Sequence, residues 1–337
     1  MKTLFELLRE TPGNMRTKLL CRINEKINEV FNHNNSACTL SIITNVFSPV
    51  ALPVGGAILN IHAMQVIEQA LIKFKIDKCS NLYVILSTLG GDIHFPELFI
   101  SKVQGMGFNE INVIIPSIAM SAGTLLAMLA DKVIGLSSAS IGPIDPQLII
   151  QTPRGLRVIS AIAYKRLIEE TLPELASQKK LGTTGLARLY IAQDMYLYQE
   201  SLRSLKYVRQ VLNTYVKSKL NENNYEKLLK IFLTNVETHS RPLGLRTLKE
   251  LGFNVVLLDE DDRYRELIEL IEEYYSMVER SFLFEKSQGI KVLLIGTKYG
   301  ELIQEAVIYP PSIIPETKPR PKEKTKKDTT TSIEHIM

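Results

Sequence analysis

Between residues 81 and 137 three short apolar runs, NLYVILS (81–87), INVII (111–115) and KVIGLS (132–137), are set apart by two stretches with helical spacing. The first of these stretches runs from about Pro96 to Met106, and the second reads MSAGTLLAMLA. Runs this short, rich in aliphatic residues and bounded by turn residues, predict strands buried on both faces. Strands separated by helices of about ten to fifteen residues lie parallel and are joined by right-handed crossovers. The expected fold class is therefore α/β, with a parallel sheet built around residues 36–150.

The flanking segments add helices. Residues 2–33 read as amphipathic helix, broken at Thr11-Pro12-Gly13, and TLSIITNVF (39–47) reads as a further strand. PVALPVGG (49–56) predicts a loop, followed by helical spacing from Ile58 to Lys75. From about Arg157 to Phe232 the pattern is helical with charged faces, which suits an arm or cap over the sheet. A short helix (TLKELG) and a returning strand, FNVVLL (253–258), come next. A helix (262–284) and a strand (291–296) then form a C-terminal αβ appendage. The expected organisation is N-terminal helices over 1–35 and a main domain over 36–258 with its helical arm at about 157–235. An appendage over 259–315 and a disordered basic tail over 316–337 complete it.

Composition excludes several classes. A hydrophobic share of 45% with 23% charged residues describes a chain that buries a core, and a net charge of +4, half of it in the tail, leaves the body nearly neutral. No nucleic-acid surface is expected from that balance. Residues 111–130 carry no charge, but Pro116, Ser117, Ser121, Gly123 and Thr124 interrupt them, and a strand-like half precedes a helix-like half. They read as a buried strand, turn and helix rather than a membrane span, and no stable membrane insertion is expected. The start, MKTLFELLRETPG, has acids among its apolar residues and lacks the order of a signal peptide, so a cytoplasmic protein is expected. Cys21, Cys38 and Cys79, at spacings of 17 and 41, fit neither a zinc site nor a disulfide framework. No phosphate-binding loop and no ligand-spaced His/Cys cluster occurs, so neither metal nor nucleotide cofactor is expected.

Ligands of parallel sheets bind at the carboxyl ends of the strands, and three unusual segments fall there. Ser121, in Pro116-Ser-Ile-Ala-Met-Ser-Ala-Gly-Thr, stands between a strand and an apolar helix, among residues small enough for close backbone approach. The helix N-terminus would offer orphan N–H groups and positive potential to an attacking oxygen, although a serine at that place can also be a plain helix cap. Gly90-Gly91 ends the run NLYVILS, so the amide of Gly91 could join that of Ala122 as an oxyanion hole. Asp145, in Gly-Pro-Ile-Asp-Pro-Gln, follows the next strand and could orient a histidine. Of five histidines, His335 lies in the tail, His33 in an Asn-rich linker and His62 on a helix. His94, three residues past Gly91, and His239, in a loop returning to the sheet, both remain candidate bases. Lys165 is an alternative base for a Ser/Lys dyad.

Pro116 to Gln147, STLGGDI (87–93) and THSRPLGLRTLKELGFNV (238–255) together resemble the serine dehydrogenase proteinase (SDH-type) family, distantly related to the Clp protease proteolytic subunit and signal peptide peptidase A. The resemblance spans roughly 36–258 and implies a ClpP/crotonase-like spiral. It also implies a triad in the chain order Ser121 (nucleophile), Asp145 (orienting acid), His239 (base), hydrolysis of peptide bonds by a serine endopeptidase, and a homo-oligomer. Leu89 stands where relatives usually have proline, and Ser87 where they tend to have histidine. Two other readings stay open: the Lys165 dyad, and a non-catalytic scaffold holding an extended peptide beside the sheet edge. A crotonase-type acyl-CoA enzyme ranks behind both.

Overall fold

The three apolar runs do become neighbouring parallel strands. In the computed structural model, residues 12–46, 59–76, 78–152, 155–177, 184–185, 195–236, 238–284 and 290–306 are described. In chain order the first elements are α1 (Pro12–Val30), β1 (Ala37–Thr44), α2 (Ile61–Ile76), β2 (Asn81–Ser87), α3 (Phe95–Gly105), β3 (Glu110–Ile115) and β4 (Ile118–Ala119). Next come α4 (Ala122–Leu129), β5 (Lys132–Gly135), β6 (Ser140–Ile141), β7 (Gln147–Thr152) and β8 (Gly155–Ser160). The arm holds α5 (Ala161–Arg166), α6 (Leu172–Ser177), α7 (Met195–Tyr215) and α8 (Glu222–Leu229). The chain closes with β9 (Leu243–Gly244), α9 (Leu245–Glu250), β10 (Val255–Leu257), α10 (Arg265–Phe284), β11 (Ile290–Thr297) and β12 (Gly300–Ala306).

The main sheet has the order β10-β5-β3-β2-β1-β11-β12. The first five strands are parallel, and β11 and β12 extend them antiparallel. Because successive side chains of a strand point to opposite faces, the apolar runs split into two cores. Leu40, Ile42, Leu82, Val84, Leu86, Val113 and Ile115 face one way, toward α2, α3, α4 and the arm. Ile43, Tyr83, Ile85, Ile114 and Ile134 face the other way, against α1 and α10. Covering both faces is what lets these strands be apolar without alternation.

Three expectations change. Residues 147–160 form an antiparallel hairpin, β7 with β8, so the stretch beginning at Arg157 opens as strand rather than as arm helix. It reads poorly from sequence because Pro153 and Gly155 interrupt a short mixed segment. The segment expected as an appendage instead supplies two strands to the main sheet, β11 pairing with β1 from Leu40↔Thr297 to Thr44↔Leu293. Cys38 and Cys79 form a disulfide, with Cα atoms 5.9 Å apart, contrary to the reading of their spacing. The parallel pairing Cys38↔Leu82 brings the residue just ahead of β2 beside β1, which no sequence spacing reveals. The expected helix over residues 2–11, the loop 49–56 and the tail 316–337 lie outside the described residues.

Candidate active site

A second, smaller sheet assembles the site. Its order is β4-β6-β9, with β4 parallel to β6 and β6 antiparallel to β9. The register aligns Ala119 with Ile141 and Ile141 with Leu243, and an isolated bridge adds Thr88 beside Ala119. Ala119 lies two residues before Ser121, Ile141 four before Asp145, Leu243 four after His239, and Thr88 three before Gly91. One row of backbone pairing therefore gathers four segments that are far apart in sequence. Side chains add to it. A Cβ on Gly142 would fall 2.2 Å from the Met120 methyl and 3.6 Å from the Arg241 carbonyl oxygen, so the loops bearing Ser121, Asp145 and His239 touch there.

Ser121 has φ 51° and ψ −116°, outside the ordinary regions for a residue with a Cβ, at the point where the chain turns into α4. Such a conformation costs about 1–3 kcal/mol and persists only where neighbours hold it. The glycine turn is one of those neighbours: Gly90 has φ 122°, and a Cβ there would lie 2.7 Å from the Ser121 Cβ and 3.3 Å from its Oγ. Thr88 fixes that turn, its hydroxyl accepting from the Gly90 amide at 3.0 Å and donating to the Gly90 carbonyl at 3.2 Å. The bridge between Gly91 and Leu59 is made by the Leu59 amide on the Gly90 carbonyl and the Asp92 amide on the Leu59 carbonyl. The Gly91 N–H consequently faces away from Leu59. The Ala122 N–H is the first of α4 and has no intrahelical acceptor. At the far end of α4, the Lys219 ammonium donates to the carbonyls of Leu129 at 2.8 Å and Ala130 at 2.7 Å, placing a cation against the helix's negative end. Thr124 joins α4 to the Asp145 loop, donating to the Ala119 carbonyl at 2.6 Å and accepting from the Gly142 amide at 2.9 Å.

Asp145 is fully buried, and its carboxylate is fully occupied. Oδ1 accepts from His239 Nδ1 at 2.7 Å, while Oδ2 accepts from Ser160 Oγ at 2.7 Å and Gln147 Nε2 at 2.9 Å. Burying a carboxylate is costly unless it is paired and bonded in this way. Since an ionised carboxylate only accepts, His239 carries its proton on Nδ1, which leaves Nε2 as an acceptor. The His239 side chain is 29% exposed, so one edge is held by Asp145 and another meets solvent. Arg166 on the arm donates to the Thr234 carbonyl just ahead of this loop, and the Ile144 amide ties the Asp145 loop to the arm through the Phe232 carbonyl at 2.8 Å.

The other candidates go elsewhere. Lys165 is ion-paired with Glu169 at 2.6 Å on the arm, and Glu169 also accepts from the Tyr198 hydroxyl at 2.7 Å. The lysine and then the tyrosine hold the Glu169 carboxyl below its ordinary range. His94 packs against Tyr207 in a tilted ring contact, centroids 4.3 Å apart, and His33 bonds the Tyr83 hydroxyl at 2.6 Å. The His62 side chain and His335 lie outside the described residues. Sequence reasoning missed Thr88, Thr124, Gln147, Ser160 and Arg166. Only Gln147, two residues from Asp145, carried a local signal; the others become partners through pairing between distant segments. Among the described residues no group of His, Cys, Asp and Glu could hold a metal ion, and no helix is long and apolar enough to cross a membrane.

Two uncharacterized proteins of Methanocaldococcus jannaschii are similar to this chain. One is 32% identical over 146 residues, 43% of either chain, and the other 29% identical over 167 residues, 49% of this chain and 47% of the relative. The chain thus spans less than half the length of these curated relatives. Among solved structures, a serine-to-alanine variant of the 1510-N membrane-bound stomatin-specific protease covers 63% of this chain and 79% of its own, with TM-score 0.38 and 13% identity. A lysine-to-alanine variant of that protease, in complex with a substrate peptide, covers 64% and 93%, with TM-score 0.27 and 15% identity. The family of ClpP-like SDH-type serine proteinases matches residues 5–179, a span that holds Ser121, Asp145 and the glycine turn but ends before His239. That span is more than half of the chain, and the chain belongs to the ClpP-like SDH-type serine proteinases.

Proposed function

We propose that the protein is a serine peptidase that cleaves peptide bonds through Ser121, His239 and Asp145. The Ser121 hydroxyl attacks the scissile carbonyl carbon while its proton passes to His239 Nε2. The amides of Gly91 and Ala122 receive the tetrahedral oxygen, each such donor lowering the barrier by about 3 to 4 kcal/mol. Collapse breaks the C–N bond, the imidazolium returns its proton to the departing amine, and an acyl ester on Ser121 remains. Water, deprotonated by the same imidazole, hydrolyses that ester and restores the serine. Asp145 holds the ring in one tautomer and stabilises its charged form. Endopeptidase action on a protein or peptide substrate, as a homo-oligomer, is part of the same reading.

The observation that carries this reading is the 2.7 Å bond from His239 Nδ1 to the buried Asp145 carboxylate, whose loop packs at Gly142 against Met120, the neighbour of Ser121. The Lys165 dyad draws less support, because that ammonium is engaged with Glu169 at the surface of the arm. A fluorophosphonate probe tests the assignment. Wild type is expected to label covalently, Ser121→Ala not at all, and His239→Ala slower by about three to four orders of magnitude, whereas Lys165→Met labels at close to the wild-type rate. Labelling that survives in Ser121→Ala would remove the nucleophile. Strong loss in Lys165→Met with none in His239→Ala would exchange the triad for the dyad. A folded wild type that never labels would favour the peptide-holding scaffold.

A further inference from the structure

Asp145 Oδ2 is gripped by two side chains that are themselves register partners: Gln147 opens β7, Ser160 closes β8, and the two sit opposite each other at the base of the hairpin. We propose that this cross-strand pair positions Asp145 for the reaction, so that the reactivity of Ser121 depends on closure of the β7–β8 hairpin. The inference rests on the proposed triad and adds positioning residues to it.

Asp145 sits between Ile144, tied to the arm through the Phe232 carbonyl, and Pro146, whose carbonyl accepts from the Ala161 amide at 2.8 Å. Those bonds fix the backbone, but they leave the carboxylate free to rotate about its own side-chain torsions. Two donors on Oδ2 remove that freedom and leave Oδ1 directed at the imidazole. Charge-assisted bonds of this kind are short and strong, and here they also satisfy a buried charge that water does not reach. Ser160 has a second duty, since its oxygen caps α5 by accepting from the Ala163 amide at 3.3 Å. The same hydroxyl therefore joins the start of the arm to the carboxylate. Farther along the hairpin, the register partners Ile149 and Val158 are 61% and 63% exposed. A ribbon that leaves apolar side chains in solvent can open and close with little disturbance to the core.

The test is the rate of fluorophosphonate labelling of Ser121 in the full chain, with folding checked by thermal melting. Ser160→Ala and Gln147→Met are each expected to slow labelling about tenfold, the loss of one charge-assisted bond, and together by more than either alone. Ser160→Thr, which keeps the hydroxyl, is expected to label within about twofold of wild type. Asn221→Ala controls for capping: it removes a comparable cap on α8, the bond to the Asn224 amide at 2.9 Å, and is expected to leave the rate unchanged. The deciding measurement repeats Ser160→Ala and Gln147→Met in an Asp145→Asn background. If both act through the carboxylate, their effects shrink there to less than about twofold. Equal losses in the two backgrounds, or no loss in either, would overturn the inference while leaving the triad standing. Asp145→Asn labelling as fast as wild type would overturn the triad reading and this inference with it.

Discussion

At position 90 a single methyl group decides whether the glycine turn and the serine turn can coexist. A Cβ there would meet the Ser121 side chain at 2.7 Å, and φ 122° is a conformation that side-chain-bearing residues avoid. Gly90→Ala is expected to lower stability by about 1–3 kcal/mol and to suppress fluorophosphonate labelling, because backbone strain and a displaced nucleophile arise together. Melting and labelling measured on one sample check both; a variant with wild-type values for both would show that the two turns are not packed as described. Residue by residue, the sequence announced Ser121, Asp145 and Gly91 through small-residue and Gly/Pro motifs at strand ends, because tight turns restrict which residues can stand there. Taken residue by residue, it left both His94 and His239 as candidates, and only the family resemblance pointed to His239. What separates them is the bond to Asp145, across 94 residues of chain, and no local pattern encodes it. Ser160 was invisible for the same reason, being an ordinary serine until the hairpin closes.

Elements behave differently, since their existence follows from periodicity. NLYVILS, predicted as 81–87, is β2 at Asn81–Ser87, and the helix expected from Pro96 to Met106 is α3 at Phe95–Gly105. The elements that went unseen are short or mixed: β4, β6 and β9 have two residues each and owe their form to pairing with one another. A pH effect belongs to this scale, where the end of α1 meets the start of β2. His33 bonds the Tyr83 hydroxyl there, and burial holds its imidazole below the ordinary histidine value of 6.5 against a smaller upward pull from Glu110, with Lys132 adding to the lowering. A depressed folded value means that the unfolded chain takes up the proton more readily. Stability is then complete above about pH 6.5 and is lost as pH falls from there toward the folded value. The melting temperature of wild type is expected to drop between about pH 7.5 and pH 5, and by less in His33→Gln, in which nothing at this position titrates. Equal drops in the two proteins would remove His33 as a source of the effect.

For the whole molecule, the N-terminal helix and the last described strand are joined. Arg16 on α1, 3% exposed at its side chain, makes a two-pronged contact with Glu301 on β12, at 2.8 Å to Oε2 and 2.5 Å to Oε1. Glu301→Ala removes a two-pronged, charge-assisted contact from a buried guanidinium and is expected to lower the unfolding free energy by about 1–3 kcal/mol, and Arg16→Met with Glu301→Leu by less. Denaturant titration measures both, and a single mutant as stable as wild type would show that the contact contributes nothing. The sequence by itself determined that a parallel α/β sheet would form and that serine, aspartate and a glycine pair would lie at strand ends, because side-chain periodicity and turn sterics act over a few neighbouring residues. Only the tertiary structure decided that residues 290–306 complete the main sheet, that Cys38 meets Cys79, and that His239 rather than His94 bonds Asp145. Each of those outcomes depends on strand pairing between segments far apart in the chain, where backbone hydrogen bonds, common to every residue type, supply the attraction.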